Sequence, residues 1–181
     1  MRKSAFVLCL LITFAFAKKT QAQELISGPL IKDFGATYTI PDPDIAADPD
    51  KVYKIVFDVA TGSENPDELN LYFDTVARFL NMHAAAGVPP ENLKPVLVVH
   101  GSAIFDLLTD QYYQEKFSTN NPNLPLLNQL HELGVPVILC GQTTGKRNVT
   151  KDMRWEHTKI ALSAMTARLH YTELGYTVIA F

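Results

Sequence analysis

From Val52 onward, the chain alternates short apolar runs with longer stretches whose apolar residues recur every three or four positions. The first run, Val52 to Val59, is rich in β-branched and aromatic residues, which is typical of a strand. Asn65-Pro66-Asp67-Glu68 then supplies a cap, a proline for the first turn and two acidic residues. The apolar spacing from Leu69 to His83 predicts one face of a helix, which Gly87 ends.

The alternation continues to the end of the chain. Pro95 to His100 and Val135 to Cys140 are continuously apolar, as expected for strands covered by helices on both faces. The remaining predicted elements are a short helix capped by Ser102, a helix from Leu124 to Leu133, a polar loop over residues 141–153, an alanine-rich helix from Trp155 to Leu174, and a closing strand from Tyr176 to Phe181. This order predicts a three-layer α/β/α fold with a parallel sheet of about four to five strands. Ala161, Ala164 and Ala167 would let the last helix pack closely against either the sheet or another subunit.

The beginning of the chain has a different pattern. Residues 1–22 resemble a signal peptide, with Arg2 and Lys3 followed by an apolar stretch that is too short to span a membrane. Cleavage is predicted after Ala17 or Ala22. Residues 23–50 are rich in proline and aspartate and are predicted to form an extension outside the core. A single domain is then expected over residues 51–181, in a protein that is periplasmic or secreted and free of the membrane after cleavage.

Charge and cysteine content narrow the classes of function. The sequence has 16 basic and 19 acidic residues, and removing residues 1–22 takes away four basic residues and no acidic ones. The remaining net charge of about −7 argues against nucleic acid as a partner, because such binding relies on Lys and Arg at phosphates. The two cysteines are Cys9, in the predicted signal peptide, and Cys140. No disulfide framework, metal site or cofactor is therefore predicted.

Several polar residues follow the predicted strands, at the sheet edge where parallel α/β folds bind ligands. The first strand brings Asp58 and Thr61 to this edge, the second brings His100 and Gly101, and the third brings Cys140 and Gly141. A cysteine there is either a nucleophile activated by a nearby imidazole or a small buried apolar residue. For Asp58, the pattern favours capping of the Thr61-Gly62-Ser63 turn over a role as an acid.

The chain resembles the DsrE/DsrF-like family of sulfur-relay proteins over residues 52–181. The matching stretches after the first strand are Lys94-Pro-Val-Leu-Val-Val-His100-Gly101, Leu130-His-Glu-Leu-Gly-Val-Pro-Val-Ile-Leu-Cys140-Gly-Gln-Thr143, Ile160-Ala-Leu-Ser-Ala-Met-Thr-Ala, and Leu174-Gly175-Tyr176-Thr-Val-Ile. The resemblance implies a small α/β fold in a homo-oligomer, often a trimer or hexamer. It also implies that Cys140 accepts sulfur as a persulfide.

On this basis the leading hypothesis is an exported sulfur carrier or sulfurtransferase. Cys140 would attack a sulfane donor, either a protein or a small sulfur species, while His100 deprotonates or orients the thiol. Backbone N–H groups after Gly141, in Gln142 and Thr143, would stabilise the charge, and Asp58, Thr61 and Gly101 complete the predicted ligand-binding set. The alternatives are a small-ligand-binding module without turnover and a redox sensor that forms a disulfide between chains.

Overall fold

The structure is a computed structural model that describes residues 24–181. The predicted signal peptide, with Cys9 and both predicted cleavage positions, lies outside the described residues. Within the described part of the chain, no helix is long and apolar enough to cross a membrane.

A parallel sheet of five strands forms the centre of the molecule, with the order β6-β5-β4-β3-β7. A separate antiparallel pair, β1 and β2, lies in the N-terminal segment. The strands are β1 (Leu25–Ile26), β2 (Thr37–Tyr38), β3 (Tyr53–Val59), β4 (Leu93–Val99), β5 (Val137–Cys140), β6 (Lys159–Ala161) and β7 (Thr177–Ala180). β3 and β4 are central and paired on both sides. All of β4 except Lys94 is buried, which confirms the prediction from its continuous apolar run, whereas in β3 only the last four residues are buried, Asp58 among them.

Helices cover both faces of this sheet, which confirms the three-layer α/β/α prediction. The helices are α1 (Leu71–Ala85), α2 (Asp110–Phe117), α3 (Leu124–Glu132), α4 (Gly141–Arg147) and α5 (Ala164–Glu173), and two short 3-10 turns span Pro90–Asn92 and Ala103–Leu107. The larger apolar core lies between the sheet and the α1 and α3 side. The smaller core lies under α5, where Ala164 and Ala167 pack against valines of β3 and β4. The alanine surface of α5 is therefore a contact with the sheet.

The beginning of α1 differs from the prediction. Asn65-Pro66-Asp67-Glu68 does not cap the helix but forms a turn before it, and α1 starts at Leu71 with Asn70 as its cap. The Asn70 side-chain oxygen accepts a hydrogen bond from the Tyr72 N–H at 2.9 Å. Asn70 is buried and also bonded by its own N–H to Asn123, so tertiary contacts decide the cap position over the local sequence signal.

The second half of the chain contains more elements than its pattern predicts. The predicted helix from Trp155 is wrong at its beginning, because residues 159–161 form edge strand β6 and α5 starts only at Ala164, where the Ser163 hydroxyl accepts the Thr166 N–H. The predicted polar loop after Cys140 contains α4, and α2 was not predicted at all. These segments are short and lack apolar periodicity. Their structure is therefore set by contacts with other parts of the fold rather than by their own sequence pattern. Ser102 does not cap the following turn through its side chain.

The N-terminal segment packs on the domain more closely than predicted. Ile31 is fully buried in the larger core, so the prediction that residues 23–50 lie outside the core is wrong at this position. Asn81 of α1, also fully buried, accepts hydrogen bonds from the N–H groups of Leu30 and Ile31 and donates to carbonyls of Ile31, Phe34 and Gly35. The Asn81 amide and Asp74 of α1, whose Oδ1 accepts the Gly35 N–H at 2.7 Å, therefore hold the segment against α1.

Candidate functional site

Cys140 is the last residue of β5 and the cap position of α4. It is a free thiol and is only 5% exposed, at the edge of the smaller core beneath α5. The abrupt change from strand to helix at Gly141 brings the first N–H groups of α4 close to the sulfur. The thiol therefore lies in a partly polar environment, but the single chain leaves it little direct contact with solvent.

Two opposing effects act on the pKa of the Cys140 thiol. Burial is the larger single influence and raises the pKa, because a thiolate is poorly stabilised away from water. Hydrogen bonds from the Thr143 hydroxyl and from the N–H groups of Thr143, Ala164 and Gln142 lower it. Together these hydrogen bonds outweigh burial, so the pKa of Cys140 lies below its ordinary value and the thiolate is favoured.

His100 lies immediately after β4, at the same edge of the sheet as Cys140. Val99 of β4 pairs with Leu139 of β5, so the next residues along the two parallel strands, His100 and Cys140, are at matching positions. Neighbouring strands are about 4.8 Å apart in the pairing direction. Because side chains alternate along a strand, His100 continues the side of Val98, which belongs to the same core as Cys140. The sequence-based prediction that these two residues share one edge agrees with this register.

Gly101 allows the chain to turn sharply after His100. Its φ of +59° is in the left-handed region, and a Cβ at this position would lie 2.3 Å from the Ala60 carbonyl oxygen. Only glycine fits both restrictions. Gly101 therefore positions His100 through the backbone, and no side chain at this position is available for ligand binding.

Asp58 lies on the same face, one position before the end of β3, and is almost fully buried. Its Oδ2 accepts a hydrogen bond from Arg168 Nη1 of α5 at 2.9 Å, and its Oδ1 is 3.3 Å from His100 Nε2. The contact between Asp58 Oδ1 and His100 Nε2 has ion-pair distance but not hydrogen-bond geometry. Among residues 24–181, these are the two buried side-chain polar atoms without a hydrogen-bond partner. Asp58 thus connects Arg168 to the imidazole.

The prediction that Asp58 caps the Thr61-Gly62-Ser63 turn is wrong. Asp106 caps this turn instead, since its Oδ2 accepts the Ser63 N–H at 3.0 Å, while the Ser102 hydroxyl accepts the Gly62 N–H at 2.9 Å. Thr61 is exposed, and its carbonyl accepts a hydrogen bond from Asn70. The described hydrogen bonds do not connect the Thr61 side chain with Cys140.

Asp106 is a buried carboxyl that the sequence did not single out. Burial raises its pKa to about 6, against hydrogen bonds from the Asn70 side chain and the Ser63 N–H that lower it. The Asn70 amide donates to Asp106 Oδ2 at 2.7 Å. This group fixes the loop after β3, so its role is to hold the sheet edge in shape.

Gly141 and Gln142 connect the Cys140 turn to the neighbouring edge strand. A Cβ on Gly141 would lie 2.8 Å from the Ala161 carbonyl oxygen, so glycine permits the close approach of α4 and β6. The Gln142 side-chain amide donates to the Leu162 carbonyl at 3.2 Å. Of the predicted ligand-binding set, Thr143 contacts the sulfur with its side chain and Gln142 with its N–H.

Two contributors to this site were missed from the sequence. The Ala164 N–H reaches the sulfur from the start of α5, and Arg168, one turn later on that helix, reaches Asp58. Their spacing of four residues places both on one helical face, but the sequence pattern does not show that this face meets Cys140 and Asp58. No cluster of three or more His, Cys, Asp or Glu side chains suited to a metal is found among the described residues.

An apolar surface lies next to the site, on β6 and the outer side of α5. Leu162 is 73% exposed, Leu169 is 65% exposed and Met165 is 63% exposed, and Ile160 on β6 is half exposed. Met165 and Leu169 are four residues apart and so lie on one helical face. Contiguous exposed apolar surface of this kind is typical of a protein contact.

Comparison with known proteins identifies the fold and the family. The sequence profile of the DsrE/DsrF-like family matches residues 54–181. A protein of unknown function, MTH1491 from Methanobacterium thermoautotrophicum, is similar in structure, with 16% identity, a TM-score of 0.52, and coverage of 71% of this chain and 99% of that chain. The ychN protein from E. coli is similar with 20% identity, a TM-score of 0.51 and the same coverage of the two chains. No curated protein sequence matches significantly.

Proposed function

Because the chain belongs to the DsrE/DsrF-like family, for which a sulfur-relay role is supported at the family level, we propose that it is a sulfur carrier in which Cys140 forms a persulfide. The observation that carries this proposal is the hydrogen-bond arrangement that lowers the pKa of Cys140 despite its burial. A thiolate is the form of cysteine that attacks a sulfane sulfur.

In the proposed first step, the Cys140 thiolate attacks the outer sulfur of a donor such as polysulfide. A new S–S bond forms on Cys140, the S–S bond of the donor breaks, and the shortened donor leaves with the electron pair. In the second step, the thiolate of an acceptor attacks the outer sulfur of the persulfide and Cys140 leaves as a thiolate. No net oxidant or reductant is required. The N–H groups of Gln142, Thr143 and Ala164 stabilise the negative sulfur at both stages.

The low exposure of Cys140 favours a small sulfur species over a bulky protein as the donor. His100 accepts the thiol proton or orients the sulfur, and Asp58 with Arg168 orients the imidazole, since Asp58 Oδ1 is 3.3 Å from His100 Nε2. Asp58 therefore acts on His100 rather than directly on the ligand.

The transfer is tested by loading the purified protein with polysulfide, removing the excess and adding cyanide as a sulfur acceptor. We expect about one thiocyanate per chain from the wild type and none above background from Cys140→Ser. Equal thiocyanate from both proteins would overturn the proposal. A ligand-binding module without turnover would release none from either protein, and a redox sensor would instead form disulfide-linked dimers on non-reducing electrophoresis.

We further propose that the protein is a homo-oligomer, a trimer or hexamer, that uses the apolar surface of Ile160, Leu162, Met165 and Leu169. Export to the periplasm or medium, with cleavage of residues 1–22, is also a proposal. Sequencing of the N-terminus of the mature protein tests it, since an intact residue 1 on the purified native protein would contradict cleavage.

A further inference from the structure

An open cavity of about 580 Å³ lies between α1 and the β3–β7 edge of the sheet. Its walls include Ile55 and Phe57 of β3, Phe79 and Met82 of α1, and Ile179 of β7. Ile55 and Phe57 point to the side of the sheet covered by α1, whereas Cys140 belongs to the core on the α5 side. This cavity is therefore separate from the candidate sulfur site.

A second cavity of about 510 Å³ adjoins the first, between the N-terminal segment and the end of α1. The two cavities share Lys51, Tyr53, Met82 and His83 as lining residues. We call the two together the α1 groove. Each part has the volume of a typical small-molecule site, and their continuity favours an elongated occupant.

The α1 groove contains many of the large apolar side chains that the chain leaves in contact with solvent. Ile45 is 93% exposed, and Ile26, Tyr38 and Ile40 of the N-terminal segment are also exposed in the second cavity. Met82 lies where the cavities meet. Exposure of apolar side chains around one concave surface is unfavourable in water and indicates an apolar occupant.

The charges on the α1 groove have one sign. Lys51 lines both cavities, Lys54 and Arg78 line the first, and none of the three forms an ion pair among residues 24–181. The Lys51 ammonium lies 5.6 Å from the Tyr53 ring centre, and Arg78 donates to the Thr75 hydroxyl at 2.7 Å. No Asp or Glu of the described chain lines either cavity, although the sequence is acidic overall. The charges of this lining favour an anionic ligand over a cationic one.

We propose that the α1 groove binds a linear aliphatic carboxylate, with the hydrocarbon chain along the apolar floor and the carboxylate at Lys51 and Arg78. Met82 lines both cavities, and its apolar side chain suits a hydrocarbon chain that extends from one cavity into the other. A ligand with an anionic head and an apolar tail supplies a counter-ion to the cations of the groove and covers its exposed apolar side chains at the same time. This site is independent of Cys140 and of the proposed sulfur chemistry.

Isothermal titration of the purified full chain with octanoate, decanoate and dodecanoate tests the proposal. We expect the affinity to rise by about fourfold for each methylene that becomes buried. Dodecyltrimethylammonium has a matching tail and the opposite charge, and should bind more weakly than dodecanoate. Absence of dodecanoate binding, or equal binding of both amphiphiles, would overturn the proposal.

Variants assign the binding to the groove. Lys51→Gln and Arg78→Gln should each weaken dodecanoate binding by about three- to fivefold, as expected for partly exposed ion pairs. Met82→Glu should weaken it by about tenfold or more, because it places a carboxylate at the junction of the cavities. Lys159→Gln, on the opposite edge of the sheet, is the matched control and should bind like the wild type. Unchanged binding in all three groove variants would contradict the assignment.

A second copy of the chain is the competing occupant of this surface. If it covers the groove, Met82→Glu lowers the molecular mass measured by light scattering and dodecanoate competes with assembly. That result would overturn the proposal of a ligand site. An unchanged mass together with lost dodecanoate binding supports it.

Discussion

At the scale of single residues, Cys140 combines near-complete burial with a lowered pKa. Burial alone would make the thiol inert, so the hydrogen bonds from the start of α4 and the start of α5 decide its chemistry. The sequence identified the residue and its place at the end of a strand. It could not supply the Ala164 N–H, which depends on where α5 begins.

Removing one donor should raise the pKa of Cys140. Thr143→Val deletes the hydroxyl that contacts the sulfur and preserves the side-chain shape, so we expect the pKa of Cys140 to be higher than in the wild type. The rate of alkylation by iodoacetamide as a function of pH measures this value. Thr144→Val is the matched control, because the Thr144 hydroxyl donates to the Gly141 carbonyl. An equal shift in both variants would contradict a specific role of Thr143.

Asp106 should make the stability depend on pH. Its pKa is about 6 in the folded chain against an ordinary value of 3.8, so the folded state binds more protons between these values. Its contribution to stability is complete below the lower value and is lost as pH rises through about 6. In urea unfolding, the free energy of unfolding should fall by at most roughly 3 kcal/mol because of this group as the pH rises through about 6. This fall should be absent in Asp106→Asn. Glu64→Gln serves as an exposed control, and parallel pH profiles for wild type and Asp106→Asn would refute the effect.

At the scale of elements, the central strands and the body of α1 followed from their apolar patterns because each is buried in a regular way. The edge strand β6 and helix α4 could not be predicted in this way. β6 has three residues and α4 has seven, which is too short for a recognisable apolar period. The alanine-rich pattern after Trp155 predicted one long helix, but pairing of Lys159 to Ala161 with β5 takes the first part into the sheet. Arg168 lies inside the predicted helix, and it was missed because its contact with Asp58 joins positions 110 residues apart.

The contact between the N-terminal segment and α1 should depend on Asn81. Asn81→Ala leaves the backbone groups of Leu30 and Ile31 without their partners, and we expect a loss of about 2–4 kcal/mol in the free energy of unfolding. Hydrogen exchange at these two amides should accelerate in the variant. Asn92→Ala is the control, because Asn92 forms one exposed hydrogen bond to Pro49. Unchanged exchange in Asn81→Ala would show that other contacts hold the segment.

At the scale of the whole molecule, the apolar surface beside Cys140 supports the proposed assembly. The family resemblance implied an oligomer, and the exposure of Leu162, Met165 and Leu169 gives that expectation a location. A subunit packed there would lie next to the start of α5 and therefore close to the sulfur. Access to Cys140 and assembly are then linked.

Assembly can be tested with charge substitutions. Leu169→Glu should lower the molecular mass measured by size-exclusion chromatography with light scattering, because a buried unpaired carboxylate strongly disfavours the contact. Leu71→Glu is a matched control: Leu71 is 74% exposed at the start of α1 and lies outside the proposed surface. A wild-type protein that is monomeric, or a variant of unchanged mass, would contradict the proposed interface.

Mass spectrometry of the folded protein after exposure to limiting polysulfide tests the central claim most directly. The account predicts a gain of one sulfur atom on the peptide that contains Cys140, reversed by a thiol acceptor, with no gain in Cys140→Ser. A folded protein that gains no sulfur on Cys140, while the same chain unfolded in urea does, would show that the fold shields this thiol and would contradict the account.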